Sequence, residues 1–169
     1  PRLAPEDSAT IYGAEYYGSN WGEEGRGYFD RDKAASMLDE AERQRRVIEQ
    51  ETGIAEGSIL DIGCGDGRYL GAFAASGWKA TGIEVSLEAV NRAAVPEGVR
   101  ILQGTLDSVH LERESFDVVR LKHCIEHLSF PKETLISVEE LLRPGGFLVL
   151  DTDNAAGLRS TLERAIQKS

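Results

Sequence analysis

The stretch ILDIGCGDGRYL, residues 59 to 70, decides how the rest of the chain is read. Gly63, Gly65 and Gly67 alternate directly after an apolar run and directly before a helical one. Missing side chains at these positions permit a tight turn and let a ligand approach the backbone amides closely. The arrangement predicts a nucleotide-like ligand over the strand end, the alternative being a glycine turn needed only for packing. The spacing G-x-G-x-G differs from the G-x-G-x-x-G of dinucleotide-binding units, and no G-K-[ST] follows to cradle phosphates, so a pyrophosphate is disfavoured. Asp61, just before the loop, is placed to accept a hydrogen bond from a ligand ammonium or to order the loop itself.

Working outward, short apolar runs alternate with amphipathic ones. SILDI, KATGIEV, VRILQ, SFDVVRL and FLVLD read as five strands. Between them lie the helical stretches GRYLGAFAAS, LEAVNRAA with Ser86 as N-cap, and KETLISVEELL, opened by Pro131 and closed by the PGG of residues 144 to 146. A further helix is expected over about 32–52, stopped by Gly53. Alternation of this kind gives an α/β fold of three layers around a mostly parallel sheet. Glu84 ends the second strand, where an acid can take both hydroxyls of a ribose. Loop, strand and acid come in the order that an adenosine-containing ligand requires.

With 169 residues the chain suits one well-buried domain. Residues 57–154 form the expected binding core, 1–56 an irregular segment and helix, and 155–169 a helix or remainder. A charge of -10, from 19 basic and 29 acidic side chains, leaves no basic patch for general nucleic-acid binding. No apolar run approaches the roughly 20 residues of a membrane span, and PRLAPEDSAT lacks a secretory pattern. Cys64 and Cys124 make neither a CxxC pair nor a disulfide-dense pattern, which fits a reducing, cytoplasmic setting.

Four motifs in order, LDIGCGDGRYL, GIEVS, SFDVVRLKHCIEHL and LLRPGGFLVL, resemble those of the class I S-adenosylmethionine-dependent methyltransferases. The fourth-strand pattern FDxVxxxHxxEHL is similar to that of the group containing ubiquinone-biosynthesis O-methyltransferases. The resemblance covers about residues 57 to 154. It implies a Rossmann-like fold, S-adenosyl-L-methionine as cofactor and S-adenosyl-L-homocysteine as product. By the same resemblance Asp61 and Gly63 lie against the methionine part, Cys64, Gly65 and Gly67 complete the loop, and Glu84 binds the ribose. Where many relatives have Gly-Asp after the third strand, this chain has Gly104-Thr105. The adenine contact is then lost, or supplied by Thr105 or Asp107, with Val85 and Leu106 as apolar neighbours. Leu121, Lys122 and His123 are expected at the cofactor or its methyl-donor end.

The segment KHCIEHL, residues 122 to 128, also contains H-x-x-E-H, a zinc-peptidase pattern. His123 and His127 would then bind Zn²⁺ from one helical face while Glu126 polarised a water. Such a metal needs a third protein ligand that no residue singles out; His110 lies before the strand. The methyltransferase context favours no metal. Glu126 and His127 then brace the following turn, and either histidine is a candidate base, since imidazole titrates near neutral pH. A purely structural role for both stays open.

The expected reaction is in-line transfer of a methyl group to an oxygen, nitrogen or carbon of a small-molecule acceptor. A non-catalytic cofactor-binding or interaction domain is the alternative. Tyr12, Tyr16, Tyr17 and Trp21 are expected either to close over the cofactor as a lid or to anchor an irregular segment. Family members have a seven-stranded sheet ending in an antiparallel hairpin, whereas the strand pattern here stops at five. A sheet lacking its last two strands leaves an exposed edge, which favours a homo-oligomer.

Overall fold

The computed structural model describes residues 31–93, 95–152 and 164–167. Tyr12, Tyr16, Tyr17 and Trp21 lie outside them. Helix α1 (Arg31–Thr52) leads into β1 (Ser58–Ile62), α2 (Arg68–Ala74), β2 (Lys79–Glu84), α3 (Leu87–Arg92) and β3 (Val99–Gln103). Then come β4 (Phe116–Lys122), a 3₁₀ turn (Ile125–His127), α4 (Pro131–Leu141), β5 (Leu142–Asp151) and β6 (Arg164–Gln167). The sheet order is β3-β2-β1-β4-β5-β6, with the first five strands parallel.

Every residue of β1 is buried because helices cover both faces of the sheet. On one face Leu60, Ile62, Ile83, Val119 and Leu121 pack against Val138 and Leu141 of α4. On the other Ile59, Ala80 and Val118 meet Ile48 of α1, Leu70 and Phe73 of α2, and Trp78. Phe73 and Trp78 stand edge to face at 5.4 Å, and the indole N–H donates to Glu49 at 3.1 Å. Among the described residues no helix is long and apolar enough to cross a membrane.

Two features differ from expectation. The PGG at residues 144 to 146 does not separate helix from strand. The chain enters β5 at Leu142, and the residues after it form a register irregularity, Phe116 pairing with Leu142 and Val118 with Phe147. Residues 164–167, expected in a helix or remainder, instead form β6, antiparallel to β5 with Leu148 opposite Ile166. The edge of β5 read as exposed is therefore paired over residues 147–150. Unpaired edge N–H and C=O groups on β5 outweigh the small helix preference of a segment such as RAIQ.

Asp117 locks the start of the sheet. Its carboxylate accepts from the Ser58 amide at 2.7 Å, the Ser58 hydroxyl at 2.8 Å and Arg143 at 2.8 Å. Burial pushes the carboxyl up, but the bonds from Ser58 and Arg143 outweigh it and hold the group below its ordinary range. A depressed carboxyl contributes stability that is full above the unfolded value, about 3.9, and is lost as pH falls through the folded one. Asp117→Asn is expected to destabilise by about 2 kcal/mol at pH 7. In urea denaturation the gap to wild type should shrink between pH 7 and pH 3, and an equal gap at both would contradict this account.

Candidate functional site

A cavity of about 440 Å³ opens over the C-terminal ends of β1, β2 and β4. It sits where the strand order reverses: β2 and β3 run outward on one side of β1, β4 and β5 on the other. In an open α/β sheet this switch point leaves a crevice for ligands.

Its floor is the glycine loop. Gly63, Gly65 and Gly67 all take positive φ, of 79°, 58° and 73°, which side chains disfavour. The amides of Gly63 and Cys64 both donate to the Ile83 carbonyl, at 2.8 and 3.0 Å, tying the loop to β2. Gly82 makes room for it: a Cβ there would lie 2.4 Å from the Cys64 sulfur.

Glu84 completes the fastening. One carboxylate oxygen accepts from the Gly65 amide at 2.8 Å and the other from the Ser86 amide at 2.8 Å, while the residue is only 4% exposed. Ser86 in turn caps α3 through its hydroxyl, which accepts from Ala89. A carboxylate has about four acceptor sites, so holding these two amides does not by itself exclude ligand hydroxyls.

Asp61 has a partner that the sequence reading did not name. Arg120, in the middle of β4, donates to it at 2.7 Å and to the Gln44 side chain of α1 at 2.6 Å, and its guanidinium lies 5.1 Å from the centre of the Tyr69 ring. Burial pushes the Asp61 carboxyl up, and Arg120 pulls it part of the way back. At the end of β4 the Lys122 ammonium donates to Asp151 at 2.5 Å. Asp151 is buried, and its Oδ1 has no hydrogen-bond partner.

The cavity brings together most of the residues expected at the site: Asp61, Gly63, Cys64, Gly65, Glu84, Val85, Thr105, Leu106, Lys122, His123 and His127. Asp107, the other acid considered near the third strand, lines it as well. Two expected residues do not line it. Leu121 is fully buried in the core beneath α4, because side chains alternate along β4 and those of Arg120 and Lys122 take the other face. Gly67 lies under Ile101, where a Cβ would come within 2.7 Å, and serves the turn into α2. The sequence reading missed Arg120, Gln44, Tyr69 and Asp151. The one available signal was a charged Arg120 inside an apolar strand, which burial obliges to have a partner.

The H-x-x-E-H segment is not a metal-binding helix. His123 has φ 45°, its amide donates to the Asp151 carbonyl at 2.7 Å, and one 3₁₀ turn follows. The two imidazoles therefore do not share an α-helical face as zinc chemistry of this kind needs. Among the described residues no three His, Cys, Asp or Glu groups are placed to hold a metal ion. Neither thiol is activated: burial raises that of Cys64 strongly and pushes that of Cys124 up to about 12.

Comparison with known proteins fits this geometry. A family profile described as a methyltransferase domain matches residues 29–167. A ubiquinone biosynthesis O-methyltransferase of Psychrobacter cryohalolentis is 31% identical over 156 residues, covering 86% of this chain and 56% of that one. The chain spans about half the length of the curated relatives it matches. An S-adenosylmethionine-dependent methyltransferase from Mesorhizobium loti superposes with TM-score 0.57 and 26% identity, over 75% of this chain and 66% of that one. The [4+2]-cyclase SpnF shares the fold with TM-score 0.65 and 21% identity, over 92% of this chain and 64% of that one.

Proposed function

Since the chain belongs to the class I S-adenosylmethionine-dependent methyltransferases, we propose that it binds S-adenosyl-L-methionine in the cavity and transfers a methyl group to a small-molecule acceptor. The observation that carries the reading is Glu84, a buried carboxylate at the end of β2 that holds the glycine loop and lines the cavity where ribose hydroxyls would meet it. Adenine would lie between Val85 and Leu106, with Thr105 and Asp107 at its edge, and the methionine part along Asp61 and Gly63. Gly63 and Gly65, both at positive φ in the cavity lining, and the close fit of Gly82 against Cys64 suit a backbone that a ligand approaches directly.

When bound, the cofactor supplies a methyl group on a positively charged sulfur and leaves as S-adenosyl-L-homocysteine. The residues of the chain then have three tasks: holding the acceptor in line, excluding water and taking up a proton where the acceptor carries one. His123 and His127 line the cavity beyond the loop and are the proposed bases.

Calorimetric titration with S-adenosylmethionine and S-adenosylhomocysteine, followed by transfer of a radiolabelled methyl group to a panel of phenols, amines and acids, tests the reading. Binding near 1:1 with transfer is the expected result, and no binding by folded protein would sink it. A second reading is cofactor binding without turnover. The fold is also shared with a protein described as a cyclase, so fold alone does not specify transfer. Saturable binding with no label transferred would select that reading.

A further inference from the structure

We propose that Lys122 anchors an anionic oxygen of the acceptor, so that the site takes an apolar or aromatic acid; this rests on the methyltransferase reading. Glu84 ends β2 and Lys122 ends β4, with β1 and its loop between them. Two strand spacings separate those ends by about 10 Å. A ligand whose ribose is held at Glu84 therefore has Lys122 at the opposite end of the cavity, beyond the glycine loop.

At that end the cavity presents an ammonium that an anionic oxygen could meet. An ammonium has three donors, and Asp151 takes one of those on Lys122. The Lys122 side chain is 20% exposed and lines the cavity, while Asp151 lies buried behind it. Asp151 thus takes one donor of the ammonium, and Asp61, the cavity-lining carboxylate that Lys122 also attracts, is already engaged by Arg120. Among the described residues, Arg120 also lines the cavity and is committed to Asp61 and Gln44. Because the chain carries a charge of -10, an anionic ligand needs such a local cation. Leu128 and Phe130 also line the cavity, and Phe130 is 54% exposed, which offers an apolar wall for the body of the acid.

Benzoate and benzamide have one shape and differ in charge, which makes them the probes. Their dissociation constants would be measured by ligand-observed magnetic resonance, with and without S-adenosylhomocysteine. Wild-type protein is expected to bind benzoate about tenfold more tightly than benzamide, the effect of one charge-assisted hydrogen bond. Lys122→Met should erase the difference, and in wild-type protein the preference should persist with S-adenosylhomocysteine bound, which it would not if the cofactor itself used Lys122; Lys122→Gln serves if the first variant melts early. Asp151→Asn removes a competing carboxylate and should tighten benzoate, a response that a purely structural ion pair would not give. Equal binding of the two probes, a preference that survives loss of Lys122, or a wild-type preference that S-adenosylhomocysteine abolishes would each overturn the proposal. If wild-type protein ignores S-adenosylhomocysteine, the methyltransferase reading fails while the benzoate comparison still reports on Lys122.

Discussion

Glu84→Ala is expected to lower S-adenosylhomocysteine affinity by at least about a hundredfold, the largest single loss at the site. Two effects combine. The bonds to ligand hydroxyls disappear, and a bond to a charged acceptor is worth about 1.5–3 kcal/mol each, where 1.4 kcal/mol is tenfold. The amides of Gly65 and Ser86 also lose the acceptor that each now holds at 2.8 Å in a buried setting. Leaving two buried donors unpaired costs about 1–3 kcal/mol apiece, so the melting temperature should fall as well. Glu84→Gln separates the effects. Its amide keeps the shape but turns a donor toward one of those N–H groups, so an intermediate loss of affinity is expected. Calorimetry alongside thermal unfolding reads both, and unchanged affinity in a folded Glu84→Ala protein would remove Glu84 from ligand binding.

That prediction rests on a residue legible in the sequence, and the reason is local. The glycine loop and Glu84 announce themselves through backbone demands and position, and SILDI and VRILQ form strands over the residues expected. The α/β class followed from the alternation of elements, and the observed parallel order agrees with it. What could not be read depends on partners far along the chain. Arg120 reaches Asp61 across 59 residues and Gln44 across 76, and no local pattern pairs them. Strand β6 owes its form to the edge of β5 rather than to its own residues. Leu121 is a different kind of miss: strict alternation along β4 already put it on the face opposite Lys122. The histidine motif misleads because a five-residue pattern carries no backbone conformation, and a left-handed His123 breaks the helix it would need.

Arg120→Met is expected to destabilise the fold by about 3–5 kcal/mol, because it strands the Asp61 carboxylate in the interior. The side chains of the pair are only 6% and 4% exposed, so water cannot replace the guanidinium. The double variant Arg120→Met with Asp61→Asn should recover much of the loss, since an unpaired amide costs far less than an unpaired charge. The pH response has a definite sign. Burial already raises the folded Asp61 carboxyl, and removing Arg120 removes what opposes that rise. A raised carboxyl destabilises at high pH and is relieved as pH falls through its folded value. The gap between wild type and Arg120→Met should accordingly narrow from pH 8 to pH 5, and in the double variant this dependence should disappear. Hydrogen exchange in α1 gives an independent readout, because Gln44 joins that helix to Arg120 at 2.6 Å. Faster exchange around Gln44 in Arg120→Met, with exchange in β3 unchanged, would show that the pair fastens α1 over the Asp61 end of the site. A gap that stays constant with pH would instead mean that Asp61 keeps its charge throughout that range by finding another partner once Arg120 is lost.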